Sequence, residues 1–426
     1  MTEFDSAFQM SASNIRFGSG VTREVGMDLH DLGAKRCLLV IDPALVELPP
    51  GQIALESLRD STIDFEVFDR VHVEPTDASF REATVVAVAG GFDSFVAVGG
   101  GSTIDTAKAA NLYSTHPAEF FDYVNAPIGR GKPVPGPLKP LIAIPTTAGT
   151  GSETTGVAIF DYVEQQAKTG IAHRYLKPTL GLVDPDNTRT LPAAVAAATG
   201  LDVLSHALES YTAIPFTSRP KPARPLERPA YQGSNPISDL WALRALEIVD
   251  EYLLRAVHDT GDDEARAQML LAAAIAGIGF GNAGVHLPHG MSYPIAGMVR
   301  DYRPPGYETD HALVPHGISV ILNAPAVFRF TAAACPERHL RAATALGADV
   351  SQAKQTEAGE VLADRVVWYM QELAVPNGLR ELGYSHDDIP ALVEGTLPQH
   401  RVTKLSPVPA DEAQLTELFE ATLEIW

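Results

Sequence analysis

The chain has 426 residues, 45% hydrophobic and 20% charged, with a formal net charge of −21. That balance describes a folded protein of more than one domain and argues against a nucleic-acid or anionic-membrane surface as partner. No uninterrupted apolar run reaches about 18 residues, so no membrane span is expected. Cys37 and Cys335 lie far apart without C-x-x-C spacing and read as reduced thiols. The opening stretch MTEFDSAFQMSASN has neither a signal-peptide nor an Arg-rich transit pattern. A cytoplasmic location is therefore expected, with the mitochondrial matrix as the alternative.

In the first part of the chain, the apolar run at residues 36–41 reads as a buried strand ending at Asp42-Pro43. A helix over 44–60 follows, delayed or broken by the PPG at 49–51. Residues 63–68 predict a strand, 78–89 a helix and 94–98 a third strand, the alternation of a parallel α/β sheet. That third strand runs into GGGSTIDTAK, residues 99–108. Gly99, Gly100 and Gly101 allow close backbone approach, and a helix opening at Ser102 aims unpaired N–H groups at a diphosphate. Ser102 and Asp105 also have capping-box spacing, which needs no ligand but leaves the three glycines unexplained. Asp42 is placed to accept an adenine-ribose 2′-hydroxyl and repel a 2′-phosphate, favouring NAD over NADP; its alternative role is a turn residue before Pro43.

Residues 121–140 form a Pro- and Gly-rich loop, and 141–144 a further buried strand before PTTAGTGSETT. Thr146 and Thr147 offer hydroxyls at that strand's carboxyl end, and Thr150 and Glu153 repeat the capping-box spacing. Residues 156–160 and 166–173 predict a strand pair carrying Lys168, a residue type usually solvated on a strand. A last strand spans 180–183 and ends at Asp184-Pro185.

Near Leu191 the texture changes to Ala- and Leu-rich helical periodicity, dividing the chain into residues 1–191 and 192–426. The first helix, 193–212, contains TGLDVLSHALESY, with Asp202 and His206 at i, i+4 on one face. Such a pair grips one divalent cation if further ligands arrive, and forms a hydrogen-bonded core pair if they do not. His289 in LPHGMSYP and His316 in VPHGISV are the candidates to complete an Asp/His set suited to Fe2+ or Zn2+. His286, at i, i+3 from His289, competes for the same role by spacing. Helices are expected over 238–257, 264–278, 316–328, 355–375 and 409–426, the last capped by Asp411. Two polar excursions interrupt them, 218–236 with Arg219, Lys221, Arg224 and Arg228, and 300–311 with Arg300 and Arg303.

GGGSTIDTAK, PTTAGTGSE, TGLDVLSHALES, HGMSYP and VPHG together resemble the iron-dependent (group III) alcohol dehydrogenases over about residues 14–426. FDYVNAPIG, RPAYQGSNPISD, GFGNAGVHLPHGMSYPIAG and EGTLPQHRVTKLSPVP look like that family's hydroxyacid–oxoacid transhydrogenase branch. The resemblance implies a Rossmann-like α/β N-terminal domain, an all-α C-terminal domain and an active site in the cleft between them, the dehydroquinate synthase-like fold. It implies a divalent metal held by Asp202, His206, His289 and His316, with His286 as a pocket residue. It also implies NAD contacts at Asp42, Gly99–Ser102, Thr146, Thr147 and Lys168. Many family members carry a His four residues after the HGM histidine; here that position is Tyr293. The implied reaction oxidises 4-hydroxybutyrate to succinate semialdehyde and reduces 2-oxoglutarate to 2-hydroxyglutarate through bound NAD. The partners are then small hydroxy acids and oxo acids, and the assembly a homo-oligomer, a dimer before other states. Because both substrates carry a distal carboxylate, an Arg or Lys of the basic excursions is expected to meet it. The rival readings are a dehydrogenase with exchangeable NAD, and a non-catalytic scaffold, which intact metal ligands disfavour.

Overall fold

The computed structural model describes residues 4–165, 167–307, 309 and 311–426. It divides into two compact units, residues 11–191 and residues 192–426 joined by the first ten. This differs from a simple cut at Leu191. Asp5 explains why the N-terminal residues belong to the second unit: its buried carboxylate accepts from Arg219 at 2.8 Å and from Arg228 at 2.9 Å. The Arg228 hydrogen bond holds Asp5 below the usual carboxylate range, against the opposing effect of burial.

The first unit is a parallel sheet of six strands: β1 (Asn14–Phe17), β2 (Arg36–Ile41), β3 (Asp64–Phe68), β4 (Ser94–Gly99), β5 (Leu141–Pro145) and β8 (Leu180–Val183). Between the last two, β6 (Val157–Tyr162) and β7 (Ala167–Ala172) form a separate antiparallel pair. Five helices accompany them: α1 (Val25–Asp31), α2 (Pro49–Asp60), α3 (Asp77–Gly90), α4 (Gly101–Thr115) and the single turn α5 (Phe120–Tyr123). The period-two strand geometry divides each central strand between two cores. Cys37, Leu39 and Ile41 join Leu29, Ala54 and Leu58 from α1 and α2, whereas Leu38 and Val40 join Ala83, Ile104 and Ala107 from α3 and α4. A sheet covered on both faces has apolar residues at successive positions, which is why its strands read as continuous runs.

The strand order is β1-β8-β5-β4-β2-β3. The chain moves outward from β2 to β3, then crosses back to place β4 on the other side of β2. This reversal is a topological switch point, where open α/β sheets bind ligands beyond the strands' carboxyl ends.

The second unit is helical: α6 (Ala193–Thr212), α7 (Pro236–His258), α8 (Asp263–Ala283), α9 (Leu287–Gly297), α10 (His316–Ile321), α11 (Ala324–Thr331), α12 (Pro336–Ala345), α13 (Ala358–Glu372), α14 (Ile389–Thr396), α15 (His400–Thr403) and α16 (Glu412–Thr422). The helix expected over 316–328 is broken between α10 and α11, where Pro325 lies in the first turn of the new helix. The run His316–Ala334, interrupted by Asn323 and Arg329, has the length and mean hydropathy of a bilayer-crossing helix, but 72% of its most apolar stretch is buried inside the protein, as in a core helix. Asp411 caps α16, accepting from the N–H groups of Ala413 and Gln414.

Candidate active site

The buried face of α6 carries Asp202, His206 and Glu209, at i, i+4 and i+7. Asp202 Oδ1 lies 3.6 Å from His206 Nε2, 3.6 Å from His289 Nε2 and 3.8 Å from His316 Nε2. These distances exceed the 2.7–3.2 Å of an N–H···O bond. Asp202 Oδ1 and His289 Nε2 are buried without a hydrogen-bond partner. Two ligands bound about 2.1 Å from a tetrahedral ion lie roughly 3.4 Å apart. The ligand atoms of Asp202, His206 and His289 lie within 4.8 Å of one another and form a group that could hold one divalent cation, with His316 at its edge. One carboxylate and three imidazoles suit Fe2+ and Zn2+ alike. The side chains of Asp202, His206 and His289 are 3%, 6% and 4% exposed, against 26% for His316, so the site opens on the His316 side.

Burial pushes His206 down to about 3, keeping its imidazole neutral, the form a metal ligand requires. Burial also opposes charge on Asp202, but the surrounding imidazoles outweigh it and hold the carboxyl well below its usual range. His289 is raised to about 10: Glu209 and Asp202 on either side overcome its burial. A cation at its Nε2 side would take the place of that stabilised proton.

Glycines bring the ligands together. A Cβ at Gly317 would stand 1.8 Å from the carbonyl oxygen of Ala198, so only glycine lets α10 press onto α6 and deliver His316. His289 sits in the first turn of α9, whose N-cap is His286. Phe280 of α8 stacks on His206 with ring centres 3.8 Å apart, fixing its plane.

Glu209 went unrecognised in the sequence, although its i+7 spacing from Asp202 was visible within TGLDVLSHALES. Its Oε2 accepts from His289 Nδ1, and its Oε1 accepts from the backbone N–H groups of His286 and His289 at 2.8 and 3.2 Å. His286 is not part of the ligand cluster: its Nε2 meets Thr212 Oγ1 at 2.9 Å, and burial lowers it to about 4. Tyr293, one turn beyond His289, accepts a hydrogen bond from Arg401 Nη2 at 2.9 Å.

In the first unit, the Asp42 N–H donates to Val98 O at 3.1 Å and the Thr146 N–H to Gly99 O at 3.2 Å. Asp42, Gly99 and Thr146 therefore stand side by side at the carboxyl ends of β2, β4 and β5, beside the switch point. Asp42 also performs its turn role, accepting from the Ala44 N–H at 2.9 Å. The glycines have a packing function of their own. A Cβ at Gly100 would approach Thr147 Oγ1 to 3.1 Å, and one at Gly101 would meet Thr150 Cγ2 at 2.6 Å.

Neither expected capping box forms. Gly100 is the N-cap of α4, and Ser102 Oγ accepts instead from the Glu74 N–H at 3.2 Å. Asp105 is drawn inward to Lys108, Ser152 and the Ile159 N–H. Thr150 accepts from Ser152 N–H, while Glu153 lies in a three-residue turn capped by Gly151. Lys168 is not solvated; it is buried between Glu74 at 2.5 Å and Asp161 at 3.0 Å. The basic excursions are largely paired within the chain: Arg219 and Arg228 with Asp5, Arg300 with Asp388, and Arg303 with the Thr309 carbonyl.

Residues 12–185 match the family model described as iron-containing alcohol dehydrogenase, and residues 227–423 that described as Fe-containing alcohol dehydrogenase family, C-terminal. With this fold, the chain is an oxidoreductase and belongs to the iron-containing alcohol dehydrogenase family. It is 61% identical to the Rattus norvegicus protein named hydroxyacid-oxoacid transhydrogenase, mitochondrial, over 99% of this chain and 91% of that one. The Homo sapiens protein of that name is 60% identical over the same shares. A Dictyostelium discoideum protein named probable hydroxyacid-oxoacid transhydrogenase, mitochondrial, is 54% identical over 99% of this chain and 80% of that one. Among solved structures, a 1,3-propanediol oxidoreductase is 27% identical with a TM-score of 0.85, covering 98% of this chain and 100% of that one. The fold is also that of the sulfoacetaldehyde reductase from Bifidobacterium kashiwanohense in complex with NAD+, with a TM-score of 0.80 at 24% identity, over 99% of this chain and 100% of that one.

The mitochondrial names of the relatives overturn the cytoplasmic expectation. Cysteine content could not separate the compartments. Burial pushes the Cys37 thiol up to about 12, leaving it unreactive in either.

Proposed function

We propose that this chain is a mitochondrial hydroxyacid–oxoacid transhydrogenase. It oxidises 4-hydroxybutyrate to succinate semialdehyde and passes the hydride, through NAD that stays bound, to 2-oxoglutarate, forming 2-hydroxyglutarate. The observation that carries this reading is Asp202 Oδ1, buried and unbonded, facing the Nε2 atoms of His206, His289 and His316. The name shared by relatives 54–61% identical over 99% of the chain supports the pairing of a hydroxy acid with an oxo acid.

Asp202, His206, His289 and His316 would hold the metal, which when bound supplies Lewis-acid polarisation of the substrate's reacting oxygen. Glu209 keeps the His289 proton on Nδ1, so that the Nε2 lone pair faces the ligand cluster. His286 and Tyr293 line the surrounding pocket. Asp42 reads the adenine ribose and disfavours a 2′-phosphate, Gly99–Ser102 receive the diphosphate, and Thr146 and Thr147 border it. Lys168 supports this region through Glu74, whose N–H reaches Ser102.

The test is hydride tracing. Purified protein receives 4-hydroxybutyrate deuterated at the hydroxyl-bearing carbon, together with 2-oxoglutarate and no added NAD. The expected product is 2-hydroxyglutarate carrying the deuterium at C2. Turnover that waits for added NAD would replace this reading with a dehydrogenase whose cofactor exchanges.

A further inference from the structure

Arg401 belongs to α15, which packs against α9 beside His289. A Cβ on Gly290 would meet Thr403 Cγ2 at 2.6 Å, so this glycine sets the close approach of the two helices. The half-buried Arg401 guanidinium is gripped by two phenols. Its Nη2 donates to the Tyr293 hydroxyl at 2.9 Å, and its central carbon stands 5.0 Å from the centre of the Tyr231 ring. Its Nη1 is enclosed and has no hydrogen-bond partner.

Four other arginines of this unit with restricted exposure meet a carboxylate. Arg219 and Arg228 share Asp5, Arg338 pairs with Asp239, and Arg365 with Asp250. Among the described residues no carboxylate lies within ion-pair distance of Arg401. Removing a cation from water without supplying an anion is costly, and this chain has 53 acidic residues from which one could have been placed there. The phenols fix the guanidinium without neutralising it. Tyr293 lies four residues beyond His289, about 6 Å along the helix axis. That spacing is commensurate with the three carbons beyond the hydroxyl of 4-hydroxybutyrate.

We propose that Arg401 is the residue that recognises the distal carboxylate of the substrate, with Tyr293 and Tyr231 as positioning residues. The assignment rests on the hydroxyacid chemistry proposed above. It moves carboxylate recognition from the basic excursions, where Arg219, Arg228, Arg300 and Arg303 are engaged within the chain, to the short helix against α9. A planar guanidinium already held on one side by phenols presents its remaining N–H groups to a carboxylate as a fixed fork.

The experiment compares kcat/KM for 4-hydroxybutyrate and for 1-butanol in the wild type, Arg401→Gln and Arg401→Lys, each with its metal content measured. A charge-assisted pair corresponds to about 10- to 150-fold in binding. The ratio of the two efficiencies should fall by that factor in Arg401→Gln, through KM, and recover in part in Arg401→Lys. The inhibition constant of butyrate, which has the carboxylate without the hydroxyl, should weaken in parallel. An unchanged ratio and unchanged butyrate inhibition in Arg401→Gln would overturn the assignment. If that variant does not fold, Arg401→Lys decides: a lowered ratio with weaker butyrate inhibition supports the proposal, and wild-type values overturn it. The ratio can be read with either NAD or 2-oxoglutarate as acceptor. A wild type that prefers 4-hydroxybutyrate but cannot pass hydride to 2-oxoglutarate would sink the transhydrogenase reading and leave the Arg401 assignment intact.

Discussion

Glu209 and His289 form a buried carboxylate–imidazole pair on the far side of the ring from Asp202. One Glu209 oxygen holds the ring through Nδ1, and the other holds the start of α9 through two backbone N–H groups. A single carboxylate thus sets both the tautomer of the imidazole and the position of the turn that carries it. Glu209→Gln should lower metal affinity about 10- to 100-fold, the usual effect of removing such a supporting partner. Chelator competition measures this, with circular dichroism to verify the helices. Wild-type affinity would reduce Glu209 to a cap for α9.

His286 and His289 have equivalent standing by spacing alone, and the structure gives them different surroundings. His289→Ala should lose bound metal and activity while retaining most of its helical signal. His286→Ala should retain the metal, because His286 Nε2 is occupied with Thr212. Metal analysis of the two proteins side by side is sufficient. Full occupancy in His289→Ala would transfer the ligand role to His286.

The legibility of the fold followed burial. The run at 36–41 and the helix at 193–212 were readable to their ends because both elements are buried along most of their length and carry apolar residues through it, leaving little ambiguity about where they stop. β1 was missed: NIRF is four residues long at the sheet edge, and none of them is buried. α9 was missed because LPHGMSYPIAG contains two prolines and two glycines, which tertiary packing overrides. Among site residues, the histidines announced themselves through the His-Gly turns. Arg401, Glu209 and the burial of Lys168 did not, since each depends on partners distant in sequence. Glu74, for example, is 94 residues from Lys168.

Asp42 serves two purposes that one experiment can separate. Burial raises its carboxyl above the usual value, and it caps the short turn Pro43–Leu45 through Ala44. Asp42→Ser keeps a capping oxygen and removes the charge; Asp42→Gly removes both. If the carboxylate reads the ribose, both variants should lose discrimination against NADP. Only Asp42→Gly should also lose stability, by a few tenths of a kcal/mol, the usual effect of Gly at an N-cap. A wild type that already prefers NADP would leave Asp42 with the cap alone.

Glu153 makes the stability of the first unit depend on pH. It is buried in PTTAGTGSE with Oε1 unpartnered, and burial raises its carboxyl from 4.5 to about 7 despite the nearby Lys108 ammonium. A carboxyl whose pKa is raised by folding binds its proton more tightly in the native state. Its contribution is therefore fully present below about pH 4.5 and is lost as pH rises through about 7. The loss amounts to about 3 kcal/mol at 1.36 kcal/mol per pKa unit. Glu153→Gln places a neutral group of the same shape there. It should raise the denaturant midpoint markedly at pH 8 and only slightly at pH 5. A gain of equal size at both pH values would show that the native state does not hold that proton, and that Glu153 is ionised in its buried site beside Lys108.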